Sequence, residues 1–437
     1  MGKKIIIIML IVSSFGFSKA QNTNFIQNNN ETYQKYLAGD WEGLIKAGKE
    51  AHRNHLDYYY LNVRMGVAYF KLGKYQKAIK YFEKARRTNP NDDFVLDYLY
   101  YAYLYSGNEE YSLSVYRELP ENLKANKHIP YSKLKDLDFY FSYNTNTDFS
   151  TLSSENYKTT SNSEVKVILD KNTFKIHTGL NFQLSKNIFL YQSFGYRRNK
   201  YLYIEQNSQN SYYNLSLNEL RYYGKLNFLL GRRWIFSANY NLIAGSYQTI
   251  NQTNYSYRGR QNNSSEIIPN IYLNFSAGFS ISKQWNYFSL QPHIELFPYN
   301  GVNLYTGGKL TIYPFANSDF YISSDLYYNI FSYYNNPIFV NEIGLRIWKL
   351  YFIGTYYFGE MKNFIEDDGN FIYNINQSIM QQSALTVEYT NKNKTFYLSA
   401  IPALYSFSYK DEYLYSTFYK NYNNILLRFG IKIKLSK

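Results

Sequence analysis

Between residues 136 and 437, ionisable side chains recur at positions two or a multiple of two apart, with apolar residues between them. Lys175 and His177 make one such set, Glu219, Arg221 and Lys225 a second, and His293 and Glu295 a third. Asp325, Glu342 and Arg346, Glu388, and Arg428, Lys432 and Lys434 continue the series. A spacing of two places such groups on one face of a strand. Gathered from many strands around one interior, mixed charges can select solutes at close range. They can equally pair with one another as a structural network without transport. Acyl hydrolysis would need His177 or His293 within hydrogen-bond reach of a serine such as Ser280 or Ser399. No Gly-x-Ser-x-Gly elbow supports that chemistry. The absence of Cys excludes disulfides, thiolate metal sites and thiol nucleophiles. The expectation is therefore no catalysis, no metal and no cofactor.

The elements that must position these groups are strands. In Ile271–Ser282 the odd positions Ile271, Leu273, Phe275, Ala277, Phe279 and Ile281 are apolar, and Tyr272, Asn274, Ser276, Gly278, Ser280 and Ser282 stand between them. The period is two, over a length that a tilted strand needs to cross a bilayer, roughly 9–11 residues. Phe174 to Leu184, Trp234 to Leu242 and Ile425 to Leu435 repeat the pattern. Short turns such as Ser185-Lys186-Asn187 and Asn391-Lys392-Asn393 alternate with longer polar stretches at 148–162, 204–211, 250–265, 363–376 and 410–424. This is the text of a closed antiparallel transmembrane β-barrel, apolar outside and polar inside. Counting back from the C-terminus gives about 14 strands, with 12 or 16 as alternatives, if residues 163–170 belong to an extended first loop. Such a barrel is compatible with a mean hydropathy of −0.47 despite 53 Tyr and 31 Phe. The net charge of +14 is scattered among Tyr and Asn, not massed in a stripe, so no nucleic-acid partner is expected.

The N-terminal part has other periods. Lys3 and Lys4, the apolar run Ile5–Val12 and the small residues ending at Ala20 read as a secretory signal peptide over 1–20. Residues 21–125 carry three segments in register at a spacing of 34, with Gly39, Gly73 and Gly107 equivalent, which is the tetratricopeptide period. The middle copy carries Gly66, Tyr69, Gly73, Tyr75, Ala78, Phe82, Ala85 and Pro90 at the family's small, aromatic and proline positions. Stacked helix pairs of this kind form a groove for a protein partner. Asn62 and Lys71 are its candidate contact residues, whereas packing accounts for Tyr69. Residues 126–135 read as a linker, and 136–437 as the barrel.

A leader, a short tetratricopeptide (TPR) helical repeat module and a C-terminal barrel together resemble the YaiO-type outer-membrane β-barrel proteins, and in order of parts the larger exopolysaccharide exporters. The resemblance implies an outer-membrane location with the helical module in the periplasm. It further implies export or passage of an envelope substrate, with polysaccharide as the class, outer-membrane lipid around the barrel, and a periplasmic protein partner on the repeats. The alternative is a non-transporting barrel that anchors the repeats.

Overall fold

The computed structural model describes residues 24–125, 127, 133–161, 163–207, 210–231, 233–257, 260–298, 302–330, 337–362, 364–366, 371–373, 377–411 and 415–435. The leader expected over 1–20 lies outside them, as does most of the linker. The chain divides into two compact units, one built on the helical region and one on the strands.

The helical unit contains α1 (24–38), α2 (Trp41–Arg53), α3 (Tyr59–Lys71), α4 (Tyr75–Thr88), α5 (Asp93–Tyr105), α6 (Glu109–Tyr116) and the short α7 (Glu121–Lys124). The 34-residue period marks helix ends. Gly39, Gly73 and Gly107 have φ of +69°, +69° and +79°, values at which a Cβ would be strained. Each permits the same closing bond one residue later: Asp40 N–H to Lys35 O at 3.0 Å, Lys74 N–H to Tyr69 O at 2.9 Å and Asn108 N–H to Tyr103 O at 2.9 Å. Between the helices the core is Leu44, Leu61, Met65, Ala68, Ala78, Phe82, Ala85 and Leu99, all fully buried. Gly66 lets α3 approach α4: a Cβ there would lie 2.6 Å from the Phe82 ring. Asp92 caps α5 through Val95 N–H at 2.9 Å and also accepts from the Tyr59 hydroxyl at 2.5 Å.

The second unit is a closed barrel. Its strands are β1 (Leu134–Asn146), β2 (Val165–Gln183), β3 (Ile188–Gln206), β4 (Ser211–Leu229), β5 (Trp234–Tyr257), β6 (Arg260–Gln284), β7 (Phe288–Phe297), β8 (Asn303–Ile312), β9 (Phe320–Asn329), β10 (Ile338–Ile347), β11 (Leu350–Met361), β14 (Ser378–Asn391), β15 (Lys394–Asp411) and β16 (Ser416–Lys434). Between β11 and β14 a separate two-stranded hairpin is formed by β12 (Phe364–Glu366) and β13 (Phe371–Tyr373). A short helix α8 (Phe149–Ser153) precedes β2. Each barrel strand pairs antiparallel with its neighbours, and β1 closes the ring by pairing with both β2 and β16. The 14 strands leave no sheet edge, as a bilayer requires.

The two faces separate cleanly. Ile271 and Leu273 are 84% and 80% exposed, and Phe275, Phe279, Ile343, Leu385, Leu398, Leu427 and Phe429 join them in an outward apolar band. So much exposed apolar surface is stable only against lipid. Among the described residues no helix is long and apolar enough to cross a membrane.

Two expectations need correction. Residues 165–170 are not loop but the first part of β2, displaced by a bulge between Asp170 and Asn172. Val165, Val167 and Leu169 there are fully buried, because the preceding segment packs on them. Several expected loops are largely ladder as well: β5 and β6 stay paired as far as Tyr257 and Arg260, and β15 and β16 as far as Asp411 and Ser416. Polar residues on both faces look like loop in sequence, but they satisfy a ladder equally well where both faces meet water.

Candidate functional site

The interior of the barrel is layered. At mid-height it is polar, and its longest-reaching side chains bond across an intervening strand. Glu295 on β7 receives the Asn239 amide of β5 at 2.8 Å, passing over Gly278 of β6. His293 Nε2 lies 2.9 Å from Asp325 Oδ1 of β9, a diagonal reach across β8, where Gly307 stands opposite His293 and Lys309 opposite Asp325. Tyr272 on β6 donates to Glu219 of β4 at 2.7 Å, passing over Gly245 of β5. A Cβ at Gly278 would sit 1.9 Å from the Glu295 carboxylate, and one at Gly245 2.3 Å from the Tyr272 ring. Glycine is thus required at these wall positions for the network to form.

Glu219, 1% exposed, also holds the Arg221 guanidinium. His177 stacks on Tyr140 with ring centroids 4.5 Å apart, and its Nε2 is 3.0 Å from the Tyr191 hydroxyl and 3.3 Å from Asp138. Arg428 lies over the Tyr140 ring at 5.1 Å. Lys175, Arg197, Arg221 and Arg428 converge on an interior cavity of about 100 Å³ that Asp170, Ser193, Tyr223, Asn241 and Tyr405 also line. Lys225 is half-buried on β4, in register with Tyr191 and Asn239. Toward the short-turn end, Lys432 reaches buried Asp136 at 3.6 Å, and Glu342 accepts from the Tyr321 hydroxyl at 2.5 Å. Glu388 is half-buried; Arg346 is exposed at the rim, 3.8 Å from Asp319 and over the Tyr351 ring at 5.3 Å.

At the long-loop end the interior is apolar. Val165, Val167, Leu169, Leu202, Ile204, Tyr305, Tyr327, Ile338, Val340, Tyr357, Met361, Ile379, Tyr405, Phe407 and Tyr422, drawn from β2, β3, β8 to β11 and β14 to β16, form one cluster with Leu152, Tyr157 and Phe364. The cluster joins side chains of nine of the 14 barrel strands. Phe364 meets Tyr305 and Tyr327 edge-on at 5.7 and 4.9 Å. The segment carrying α8 is tied in by polar contacts: Asp148 accepts from Asn423 N–H at 2.8 Å, Tyr157 N–H donates to Gln206 at 2.7 Å, and Thr159 donates to Asp411 at 2.5 Å. Lys420 pairs with Glu155. Burial, with Glu155 and Tyr409 beside it, holds the Tyr157 hydroxyl protonated well above the ordinary tyrosine range.

The serines of the hydrolytic alternative are engaged elsewhere. Ser280 stands opposite His293 in the ladder, but its hydroxyl accepts from Gln291 at 3.1 Å, while Ser399 bonds Thr386 at 2.8 Å. Arg197, Asp138, Tyr140, Tyr191, Asn239 and Tyr272 are network members not singled out from the sequence. The sequence shows Arg197 in strand parity with Ser193 and Asn199, but its place opposite Lys175 comes from the register. The adjacent Arg198 obscured which of the two points inward.

In the helical unit the candidate contacts separate. Asn62 is 4% exposed and spends its amide on Asp57 at 2.7 Å and on the Tyr58 carbonyl at 3.0 Å, so it shapes the start of α3 and presents nothing to a partner. Lys71 is exposed at the end of the same helix. Tyr69 stacks on Tyr81 at 5.4 Å, and burial raises its hydroxyl pKa. Tyr60, Leu37, Phe94 and Tyr105, with Phe25, Ile26 and Tyr33 on α1, are exposed apolar groups the sequence did not single out.

The tetratricopeptide repeat family model matches residues 62–92, spanning most of α3 and all of α4. No curated protein sequence matches the chain. Among solved structures it is similar to the P. putida toluene transporter TodX, with 8% identity over 77% of this chain and 94% of that one and a TM-score of 0.44. It is also similar to the translocator domain of the autotransporter NalP from Neisseria meningitidis (9% identity, 76% and 100% coverage, TM-score 0.31). A bacterial polysaccharide outer membrane secretin matches at 11% identity over 68% of this chain and 98% of its own, with a TM-score of 0.33. Likenesses this distant carry no weight for function.

Proposed function

We propose that this chain is an outer-membrane component for passage of an envelope substrate, closed at rest, whose helical repeats recruit a periplasmic protein partner. The observation that carries the reading is the division of the interior: a charged, hydrogen-bonded middle beside an apolar cluster to which the segment before β2 contributes Leu152 and Tyr157. An interior meant only to fill space is cheapest when apolar, since buried charges cost free energy even when paired. The part of the cluster carried before β2, Leu152 and Tyr157, can be withdrawn without unpairing the wall. Short turns at one barrel end and longer connections at the other favour a periplasmic turn end, and β1 begins and β16 ends at that turn end. Polysaccharide is the substrate class that the order of parts suggests, and no catalytic step is assigned to the chain.

The second reading, a barrel that only anchors the repeats, is favoured by the continuity of the apolar cluster between strands on many sides. Planar-bilayer conductance separates the two. The full chain should be silent, and a variant lacking 149–161 should conduct steadily. Silence in both forms, with heat-modifiable mobility showing that both barrels are folded, would refute passage and leave the anchor.

A further inference from the structure

The interior cavity of about 100 Å³ is ringed by four cationic side chains, Lys175, Arg197, Arg221 and Arg428, with Ser193 and Asn241 also in its lining. Three carboxylates lie near the cavity, and each already has a partner within the protein. Glu219 is held by Arg221 and Tyr272. Asp138 is held by His177 and Tyr191. Asp170 accepts from Asn199 at 3.1 Å. Arg221 is thus answered by Glu219, Asp170 shares the lining, and the four cations outnumber the three carboxylates by one.

Lys175 makes the imbalance specific. It stands opposite Arg197 in the β2–β3 ladder and Ser142 in the β1–β2 ladder, and it lines the cavity together with Arg197, Arg221 and Arg428. Among the described residues no acceptor bonds its ammonium. An ammonium placed among guanidinium groups without a counter-ion is an arrangement a fold does not keep at no cost. A bound anion removes the cost. Arginine offers a planar fork of donors suited to oxyanions, lysine a point charge, and the serine hydroxyl and asparagine amide neutral donors.

We propose that this cavity is a binding site for a free small oxyanion of the phosphate or sulfate type, held at mid-height inside the barrel. The site is independent of whether the barrel passes a substrate, since it needs only the closed wall.

The test uses the full chain in detergent micelles. Its thermal unfolding is followed in inorganic phosphate and in chloride at equal ionic strength, for the native protein and for Lys175→Met. Phosphate should raise the native midpoint by several degrees through preferential binding to the folded state. In Lys175→Met the shift should vanish, while the midpoint in chloride stays equal to the native one or rises, because an unbalanced cation has been removed. Glucose 1-phosphate forms a further arm, in which a free-anion site predicts no stabilisation beyond that of phosphate. Equal midpoints of the native protein in phosphate and chloride would overturn the proposal. So would a phosphate shift that survives in Lys175→Met, or stabilisation by the sugar phosphate alone.

Discussion

Replacing Gly66 by Ala sets two effects of opposite sign against each other. Alanine is the better helix former, and at an interior position of α3 it should gain about 0.8–1 kcal/mol. Its methyl, however, would lie 2.6 Å from Cε1 and 2.7 Å from Cδ1 of Phe82, a ring with no exposed surface on which to retreat. Carbon atoms in contact prefer roughly 3.5–4.0 Å, so α3 and α4 must part or the ring must leave its rotamer. Overpacking of this kind costs about 1–3 kcal/mol. The net expectation is a loss of about 1 kcal/mol, with the steric term prevailing. Urea unfolding of the full chain followed at the helical far-UV minimum measures it. Phe82→Leu, which shortens the opposing side chain, should make the double variant more stable than the sum of the singles by about 1 kcal/mol. A Gly66→Ala protein more stable than the native one, or strict additivity with Phe82→Leu, would refute the close-approach account of the repeat.

Leu273→Arg places a charge on the outward band where the leucine is 80% exposed, and should cost about 2–4 kcal/mol if that position lies near the bilayer midplane, read from refolding into lipid vesicles. Asp92→Ala removes the α5 cap and should cost about 1 kcal/mol in helix unfolding. The loss should shrink in a Tyr59→Phe background, because the two side chains are bonded. Asp57 is pushed up by burial, but the bonds from Asn62 and Lys84 outweigh that and hold its carboxyl below the ordinary range. Its stabilising contribution is therefore complete above the ordinary aspartate pKa and is lost as pH falls through the lowered one. Asp57→Asn should flatten the acid limb of the helical unit's stability against pH.

The barrel was legible because its signature is local. A period of two continued through Ile271–Ser282, Trp234–Leu242 and Ile425–Leu435 can bury one face only, and repeated over the chain it demands closure. The repeat helices were legible for the same reason, since Gly39, Gly73 and Gly107 mark three equivalent helix ends by a conformation that glycine adopts freely. The interior was less legible. Alternation says that Lys175 and His177 share a face, but not that Arg197 and Arg428 come beside them from β3 and β16. Nor can it distinguish Val165, Val167 and Leu169, which point inward to a closing cluster, from apolar residues that point to lipid. The bulge between Asp170 and Asn172 shifts the β2–β3 register by one, so the inward residues of β3 pass from Leu202 and Ile204 to Arg197 and Asn199, and nothing adjacent in the sequence marks it.

By itself, then, the sequence determined the kind of most elements, the spacing of the helix ends and an approximate strand count, because these follow from backbone period and from which residues tolerate a turn. Only the tertiary structure decided that apolar residues of nine strands meet in one cluster inside the wall, that Glu295, His293 and Tyr272 reach two strands away, and that four cations share one cavity. Those contacts join residues tens to hundreds of positions apart. Their existence depends on strand register and ring closure, which are properties of the assembled sheet and of no single stretch of chain.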